Sequence, residues 1–169
     1  ISTAGPEVKQ FEAKLRTVTG SPFVVATNSG TSALHLGLLA MGLEPGDRVL
    51  VSNLTYVATV NPIRYAGAEP VLIDAGRNSW QMDPDRVAQY LNTQTEMRDG
   101  QCYETPSGQR VRAILVTHVL GHAAPLDALS ELAEAYGLEL MEDAAEALGG
   151  TWNGQQLGTF GEMGVLSFN

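Results

Sequence analysis

The sequence predicts an α/β fold in which a mostly parallel sheet is covered by helices on both faces. Short apolar runs alternate along the chain with longer segments in which apolar residues recur every three or four positions. The apolar runs are nearly continuous rather than interrupted by polar residues, which is typical of strands that are buried on both faces. Of the 169 residues, 44% are hydrophobic and 17% are charged, so the chain can bury a core as one domain.

The chain begins with a predicted helix, a strand and a second helix. Residues 6–19 are expected to be helical because their apolar residues are spaced by three and four positions. These residues are Val8, Phe11, Leu15 and Val18. The run Phe-Val-Val-Ala-Thr at 23–27 predicts a strand, and the strongly apolar segment 32–41 predicts a helix that ends at Gly42.

The middle of the chain repeats this alternation. Strands are predicted over the apolar runs 48–52 and 70–74, and a helix is predicted over 57–66 between them. Residues 84–91 are expected to form another helix with Asp83 as its N-cap, because Asp is among the best residues at that position. A helix that connects two strands allows the strands to run parallel.

The last part of the chain contains one irregular segment and three further strands. Residues 93–110 carry two short polar runs around a Pro-Ser-Gly turn, which predicts an inserted hairpin. Strands are predicted over 111–117, 138–141 and 164–168, and a helix over 126–136. Residues 152–160 are expected to form a loop with a turn at Gly154. Because ligands in such sheets bind beyond the carboxyl ends of the strands, functional residues are expected there.

The composition excludes several classes of partner. The net charge of −9 repels the phosphates of nucleic acids and of anionic membranes. Cys102 is the only cysteine, which excludes a disulfide framework and a cysteine-rich metal site and suits a reducing cytoplasm. No apolar run approaches the roughly 18 residues of a membrane span, and no signal-peptide pattern opens the sequence. We therefore expect a cytoplasmic protein that binds neither nucleic acid nor membranes.

A phosphate site is predicted at the junction between the 23–27 strand and the helix that follows. The junction reads Asn-Ser-Gly-Thr-Ser at residues 28–32. The free amides of a helix's first turn and the positive end of its dipole attract anions. Gly30 allows close backbone approach, and Ser29 and Thr31 offer hydroxyl donors. Ordinary helix capping by Ser or Thr is the alternative interpretation.

An acidic pair, Glu142 and Asp143, follows the predicted strand 138–141. A buried carboxylate needs a cationic partner, a set of hydrogen-bond donors or a metal ion. Asp143 could face a protonated ring nitrogen of an aromatic cofactor and so keep that ring electron-poor. A capping aspartate and a magnesium-binding aspartate are the alternatives.

Tyr56 lies just past a predicted strand end, and Ser167 lies inside the last predicted strand. Tyr56 could stack on a flat cofactor or be an ordinary core aromatic. The hydroxyl of Ser167 could reach a phosphate or a backbone carbonyl. His118 and His122 have the spacing of a metal pair, but no third ligand is evident, so structural roles are favoured and no metal site is predicted.

Taken together, these segments resemble the DegT/DnrJ/EryC1/StrS sugar aminotransferases, which are pyridoxal-phosphate (PLP) enzymes of fold type I. The resemblance follows the whole chain in order, and several matching segments in sequence are far more specific than any one of them. The segments are Ser-Thr-Ala-Gly at 2–5, Phe-Glu at 11–12, 28–35, 46–49, 55–61, 67–71, 142–146 and Ser-Phe-Asn at 167–169.

The resemblance implies a fold and a domain organisation. The fold would be the three-layer large domain of the aspartate-aminotransferase type, with a mostly parallel sheet that is incomplete at both ends. Residues 1–169 would be this PLP-binding domain, and the C-terminal small domain would be absent. The Schiff-base lysine would come just after Asn169, because Lys9 and Lys14 lie on the first predicted helix, well placed for solvent. We therefore expect a fragment that cannot transaminate by itself.

The resemblance also implies roles for the residues at the predicted phosphate site. Gly30 and Thr31 would hold the cofactor phosphate by backbone and hydroxyl groups. Ser29 would belong to the same site, and Ser167 would contribute its hydroxyl from the last strand.

The remaining implied roles concern the cofactor ring. Tyr56 would stack on the pyridine ring, and Asp143 would pair with its nitrogen. Glu146 stands where relatives often carry His or Gln near the ring hydroxyl, so it would contact the ring, the substrate or both.

The function implied by the resemblance is amination of a nucleotide-linked keto sugar, with glutamate as the amino donor, by a homodimer. The 101–110 hairpin, the segment Val-Arg-Ala-Ile-Leu at 111–115 and the segment Val-Leu-Gly-His at 119–122 are similar to a subgroup that acts on UDP-linked 4-keto-6-deoxy sugars. Such sugars feed surface polysaccharides and nonulosonic acids. Three alternatives remain open: a PLP-dependent sugar dehydratase with histidine in place of the lysine, an aldolase or lyase on the same fold, and a non-catalytic phosphate-binding module.

Overall fold

The computed structural model describes residues 5–168, so residues 2–4 of the opening motif and Asn169 lie outside it. The helices are α1 (Glu7–Thr19), α2 (Gly30–Ala40), α3 (Val57–Tyr65), α4 (Pro84–Gln94) and α5 (Leu126–Tyr136). The strands are β1 (Arg48–Ser52), β2 (Glu69–Ile73), β3 (Thr95–Arg98), β4 (Gln101–Glu104), β5 (Arg110–Thr117), β6 (Glu139–Asp143), β7 (Thr151–Trp152), β8 (Gln155–Gln156) and β9 (Met163–Val165).

Five strands form a parallel sheet in the spatial order β2-β1-β5-β6-β9. Apolar residues lie in register across its centre, where Val51 pairs with Leu115, Leu115 with Met141 and Met141 with Met163. All five strands run in the same direction, so their carboxyl ends meet at one edge. The predicted mostly parallel sheet is confirmed.

Helices cover both faces of the sheet, which gives the predicted three layers. Along β1, alternate side chains enter different cores, as strand geometry requires. Val49 and Val51 pack with the buried residues of α2 and α3, whereas Leu50 packs with those of α4 and α5. Both cores are closed to solvent, and burial of each large apolar side chain stabilises the fold by about 1.5–3 kcal/mol.

The predicted strand at 23–27 is wrong. The segment makes no strand pairing, and Phe23 and Val25 are 84% and 72% exposed. An apolar, β-prone run becomes a strand only when another strand lies beside it, and within residues 5–168 none does. The segment is instead anchored to α1, where the Glu12 carboxylate accepts from the Ala26 amide at 2.9 Å.

The inserted segment contains one more hairpin than predicted. The predicted turn at Pro-Ser-Gly is present and joins β4 to β5, which pair antiparallel. A second turn at Asp99 and Gly100, both with positive φ, joins β3 to β4. The Asp-Gly pair is a strong signal for a two-residue hairpin. The meander extends the sheet to seven strands.

Several element boundaries differ from the prediction in ways that move candidate residues. β6 continues to Asp143, so the two acidic residues end this strand rather than follow it. β9 ends at Val165, so Ser167 lies beyond the last strand instead of inside it. Of the four apolar residues whose spacing predicted α1, only Leu15 is buried.

Residues 152–160, predicted to be a loop, begin with the short hairpin β7–β8 around Gly154. Across residues 5–168, no helix has the length and apolar character that a membrane crossing requires.

Candidate active site

The start of α2 presents free backbone amides at the carboxyl edge of the sheet. The helix begins at Gly30, two residues earlier than predicted, so the amides of Gly30 and Thr31 belong to its first turn. Ser29 is the N-cap, and its hydroxyl accepts from the Ser32 amide at 3.2 Å. The capping interpretation therefore holds for Ser29. Within residues 5–168, the amides of Gly30 and Thr31 have no hydrogen-bond acceptor, and such amides at the positive end of a helix attract anions.

Ser167 lies directly against the start of this helix. A methyl group placed on Gly30 would meet both the Cβ and the Oγ of Ser167 at 3.4 Å. The Ser167 amide donates to the Ala145 carbonyl at 3.3 Å, which holds the residue at this position beyond the end of β9. The structure thus brings a hydroxyl from the last described segment to the free amides of α2.

Asp143 ends β6 and is 5% exposed. The Thr59 hydroxyl donates to its Oδ2 at 2.6 Å, and the Ala145 amide donates to its Oδ1 at 3.2 Å. Burial raises the pKa of Asp143 above its usual range, and the hydrogen bonds from Thr59 and Ala145 offset this effect only in part. No lysine or arginine in the described part of the chain pairs with Asp143. The carboxyl group is therefore desolvated without a cation, and a protonated ring nitrogen would supply one.

The magnesium alternative for Asp143 gains no support from its surroundings. Between residues 5 and 168, no three His, Cys, Asp or Glu side chains are arranged to hold a metal ion. The interpretation of Asp143 as a capping residue is confirmed in part, because its carboxylate accepts a hydrogen bond from the Ala145 amide, two residues further along the chain.

The candidate phosphate site and the candidate ring-nitrogen site are neighbours. Ala145 joins them, since its amide donates to Asp143 and its carbonyl accepts from Ser167, which lies beside Gly30. This series of neighbouring residues places both candidate sites at the same edge of the sheet. Sites on opposite parts of the molecule would have excluded a shared ligand.

Tyr56 lies at the same edge of the sheet with its ring in solvent. It is the N-cap residue of α3 and is 78% exposed, so the interpretation as a core aromatic is wrong. Its carbonyl accepts from the Thr59 amide at 2.9 Å, which places Tyr56 one turn from the threonine that binds Asp143. The ring is available to stack on a flat ligand.

Glu146 is exposed and stands one turn beyond the acid. After burial, which is the main cause, its negative charge contributes in a smaller way to raising the pKa of Asp143. The turn at Gly121 packs against the Glu146 backbone, where a Cβ on Gly121 would come within 2.7 Å of the Glu146 carbonyl oxygen.

Glu142 has a structural role that sequence reasoning missed. It is fully buried, and its carboxylate accepts from the His118 ring at 2.9 Å. It also accepts from the amides of Gly158, Phe160 and Gly161 at 2.8, 2.6 and 2.9 Å. Burial alone raises the pKa of Glu142, but these hydrogen bonds outweigh that effect and hold the pKa below its usual range. The signal in the sequence was an acidic residue directly after the apolar run 138–141.

The two histidines differ in their surroundings. His118 Nδ1 accepts from the Ala124 amide at 3.1 Å, so the hydrogen-bond network assigns the ring proton to Nε2, which donates to Glu142. The predicted structural role is confirmed for His118. His122 is exposed.

The profile of the DegT/DnrJ/EryC1/StrS aminotransferase family matches residues 1–169. The chain belongs to this family. It is 35% identical over 168 residues to a GDP-perosamine synthase of Escherichia coli O157:H7, covering 99% of this chain and 42% of that protein. It is 37% identical over 169 residues to EpsN of Bacillus subtilis (strain 168), a putative pyridoxal phosphate-dependent aminotransferase, covering 100% of this chain and 41% of that protein.

A solved structure confirms the fold. A DegT DnrJ EryC1 StrS aminotransferase from Brucella abortus superposes with a TM-score of 0.84 at 32% identity, covering 94% of this chain and 40% of that one. The fold is therefore that of fold-type I PLP enzymes, and the family's cofactor is PLP. The chain spans about two fifths of the length of the relatives it matches. A buried acid without a cation, next to free amides at a helix start, fits this cofactor.

Proposed function

We propose that this chain is the cofactor-binding large domain of a PLP-dependent aminotransferase that converts a nucleotide-linked keto sugar into an amino sugar. The observation that carries the proposal is Asp143, a desolvated carboxyl group without a cation, in a contact series with the start of α2. Membership of the family and the similarity to a GDP-perosamine synthase support the substrate class.

The start of α2 binds the cofactor phosphate in this proposal. The amides of Gly30 and Thr31 donate to the phosphate, and the hydroxyl groups of Thr31 and Ser167 add two further donors. Ser29 contributes by capping the helix, which fixes the direction of the neighbouring amides. These local donors explain how a chain with a net charge of −9 attracts an anion.

Three residues act on the cofactor ring in the proposal. Tyr56 stacks on one face of the ring, and Asp143 accepts from the protonated ring nitrogen. Glu146 lies at the exposed side of Asp143 and contacts the ring hydroxyl, the substrate or both. The bound cofactor supplies an electron sink for the carbanion formed at the reacting carbon. Asp143 serves that chemistry by keeping the proton on the ring nitrogen.

The rest of the proposal concerns the full-length enzyme. We place the Schiff-base lysine in the segment that follows Asn169, and a small C-terminal domain after it. Lys9 and Lys14 belong to α1, where both side chains are exposed, so neither is placed to form a Schiff base. The enzyme works in the cytoplasm as a homodimer, takes its amino group from glutamate and feeds surface polysaccharide or nonulosonic acid synthesis.

The proposal is tested with the full-length enzyme, PLP and glutamate. Three 4-keto-6-deoxy sugars linked to UDP, GDP and TDP are offered, and the products are identified by mass spectrometry. We expect an amino sugar from the UDP-linked substrate and a cofactor absorption band. Asp143→Asn should lower kcat at least about a hundredfold, because loss of one electrostatic contact at the reacting centre typically costs that much.

Three outcomes would contradict the proposal. A product without nitrogen would indicate a dehydratase, and the absence of a cofactor band would indicate a non-catalytic module. Near-normal turnover of Asp143→Asn would remove the ring-nitrogen assignment. Glu134→Gln, a change on the exposed face of α5, is the matched control and should leave turnover unchanged.

A further inference from the structure

A chain of three threonine hydroxyls leads to the buried carboxylate of Asp143. Thr117 Oγ1 lies 2.9 Å from Thr55 Oγ1, and Thr55 Oγ1 lies 2.7 Å from Thr59 Oγ1. Thr59 Oγ1 donates to Asp143 Oδ2 at 2.6 Å. The three residues come from the end of β5, the loop after β1 and the first turn of α3. Thr59 is fully buried.

The direction of these hydrogen bonds follows from the number of protons available. Each threonine hydroxyl has a single proton to donate, and an ionised carboxylate can only accept. Because Thr59 gives its proton to Asp143, it must accept from Thr55, and Thr55 must then accept from Thr117. All three dipoles point toward Asp143, and hydrogen bonds aligned in this way strengthen one another in a low-dielectric interior.

We propose that Thr59 is a positioning residue for the reaction: supported by Thr55 and Thr117, it aims the Asp143 carboxylate and holds it in the charged form that meets the cofactor's ring nitrogen. This inference rests on the proposed role of Asp143. A carboxylate has about four lone-pair sites. Thr59 and Ala145 occupy one site on each oxygen and leave the others for the ring.

The hydroxyl chain also links the two groups that would hold the ring. Thr55 and Thr59 flank Tyr56 in sequence, and the Thr59 amide donates to the Tyr56 carbonyl. The stacking residue and the acid are therefore held by the same short segment. A shift of this segment would therefore change both the stacking of Tyr56 on the ring and the contact of Asp143 with the ring nitrogen.

The ionisable groups around Asp143 lie outside the hydroxyl chain. Besides burial, which is the main cause of its shift, the pKa of Asp143 is lowered by His118 and raised by the negative charge of Glu146. Glu142 belongs to the same strand, but successive side chains of a strand point to opposite faces, and its carboxylate is bound to His118 and the 158–161 turn. Tyr56 carries its phenol in solvent. Replacement of a threonine by valine changes none of these groups.

The test uses the full-length enzyme with three variants in the hydroxyl chain. Thr59→Val keeps the shape of the side chain and removes the donor, whereas Thr59→Ser keeps the donor. Thr55→Val removes the second hydroxyl only. Thr95→Val is the control for loss of a threonine hydroxyl, because Thr95 lies in β3, outside the candidate site, and its hydroxyl donates to the Leu91 carbonyl.

The first measurement is made without cofactor. The enzyme is labelled with ¹³C at aspartate carboxyl groups, and Asp143 is titrated by NMR. We expect a higher pKa of Asp143 in Thr59→Val than in the wild type, a smaller increase in Thr55→Val, and wild-type behaviour in Thr59→Ser and Thr95→Val. A general loss of packing would not be reversed by the serine variant.

The second measurement is made with cofactor. We expect Thr59→Val to weaken PLP binding about tenfold or more, because a smaller fraction of the molecules then carries the charged and aligned Asp143 that meets the ring nitrogen. Its kcat should fall while the KM for the sugar changes little, because Thr59 is fully buried and so is not available to contact the sugar. Thr59→Ser should remain within about twofold of the wild type in both quantities.

The outcomes separate this inference from the proposed function. Equal pKa values of Asp143 in the wild type and Thr59→Val would overturn the inference, whatever Asp143→Asn does. If Thr59→Val raises the pKa but Asp143→Asn leaves PLP binding and turnover unchanged, the proposed function fails and the positioning role fails with it. A Thr59→Val protein that does not fold leaves the decision to Thr55→Val, whose unchanged titration would count against the hydroxyl chain.

Discussion

Replacement of Glu142 by glutamine is predicted to destabilise the protein, although it changes none of the residues that are proposed to bind the cofactor. The carboxylate accepts four hydrogen bonds, from the His118 ring and from the amides of Gly158, Phe160 and Gly161. Glutamine has nearly the same shape but only one oxygen, and its amide group is itself a donor. Two of the four donors would therefore face another donor at the buried end of the side chain.

The size of the effect follows from these contacts. A hydrogen bond to a charged group contributes about 1.5–3 kcal/mol, and a buried donor left without an acceptor costs a similar amount. Because the 158–161 turn is only partly buried and can be rehydrated in part, the four contacts do not add in full, and we expect a loss of about 3–5 kcal/mol. This is a large share of the 5–15 kcal/mol by which domains are usually stable.

The effect should also depend on pH. The folded-state pKa of Glu142 lies below its usual range, so its stabilising contribution is complete above the unfolded-state pKa of about 4.3. The contribution disappears as the pH falls through the folded-state pKa, because the protonated acid can no longer accept all four hydrogen bonds. The difference between wild type and Glu142→Gln should therefore shrink in acid.

Urea unfolding followed by circular dichroism measures the loss of stability at neutral pH. Hydrogen exchange should show faster exchange at the amides of Gly158, Phe160 and Gly161. Glu134→Gln, on the exposed face of α5, is the control and should change the free energy of unfolding by less than about 0.5 kcal/mol. A loss below about 1 kcal/mol in Glu142→Gln, with unchanged exchange at the three amides, would refute this account.

Three further predictions concern the candidate site. Ser29→Ala should lower the free energy of unfolding by about 1 kcal/mol, measured in urea, because the Ser32 amide loses its cap; an unchanged midpoint would contradict this. Gly30→Ala should weaken PLP binding, because the added methyl group occupies space where the phosphate approaches, and should leave stability nearly unchanged, because that methyl group meets Ser167 at an ordinary 3.4 Å. An unchanged PLP affinity in a fluorescence titration would reject the phosphate assignment. Asp143→Asn should stabilise the cofactor-free protein at neutral pH, because the raised folded-state pKa makes the wild type lose stability as the pH rises through it; thermal unfolding from pH 3 to 8 should show the two proteins converging in acid.

Much of the fold was accessible from local patterns. The apolar run at 48–52 and the helix at 126–136 have the predicted bounds, because strand and helix periodicity there agree with burial in the tertiary structure. The run at 23–27 has the same local character but forms no strand. A segment becomes a strand only when its backbone can form hydrogen bonds with a neighbouring strand, and the local sequence at 23–27 does not reveal whether such a neighbour exists.

The candidate site was accessible in part for the same reason. The Ser-Gly-Thr junction and the acid at a strand end are local signals, so Gly30, Thr31 and Asp143 could be named in advance. The partners of these residues were not accessible. Thr59 is 84 positions from Asp143 in the sequence, and nothing in its own segment marks it as a donor to a carboxylate.

The sequence by itself determined the layer order of the fold, the family and the residue types at the strand ends. Only the tertiary structure decided that Asp143 is desolvated, that Glu142 holds the 158–161 turn, and that Ser167 lies against Gly30. The physical reason is the sequence separation over which each interaction acts. Periodicity and capping involve residues a few positions apart, so the local sequence predicts them. Burial and hydrogen-bond partners are decided where strands that are far apart in the chain reach a common edge of the sheet.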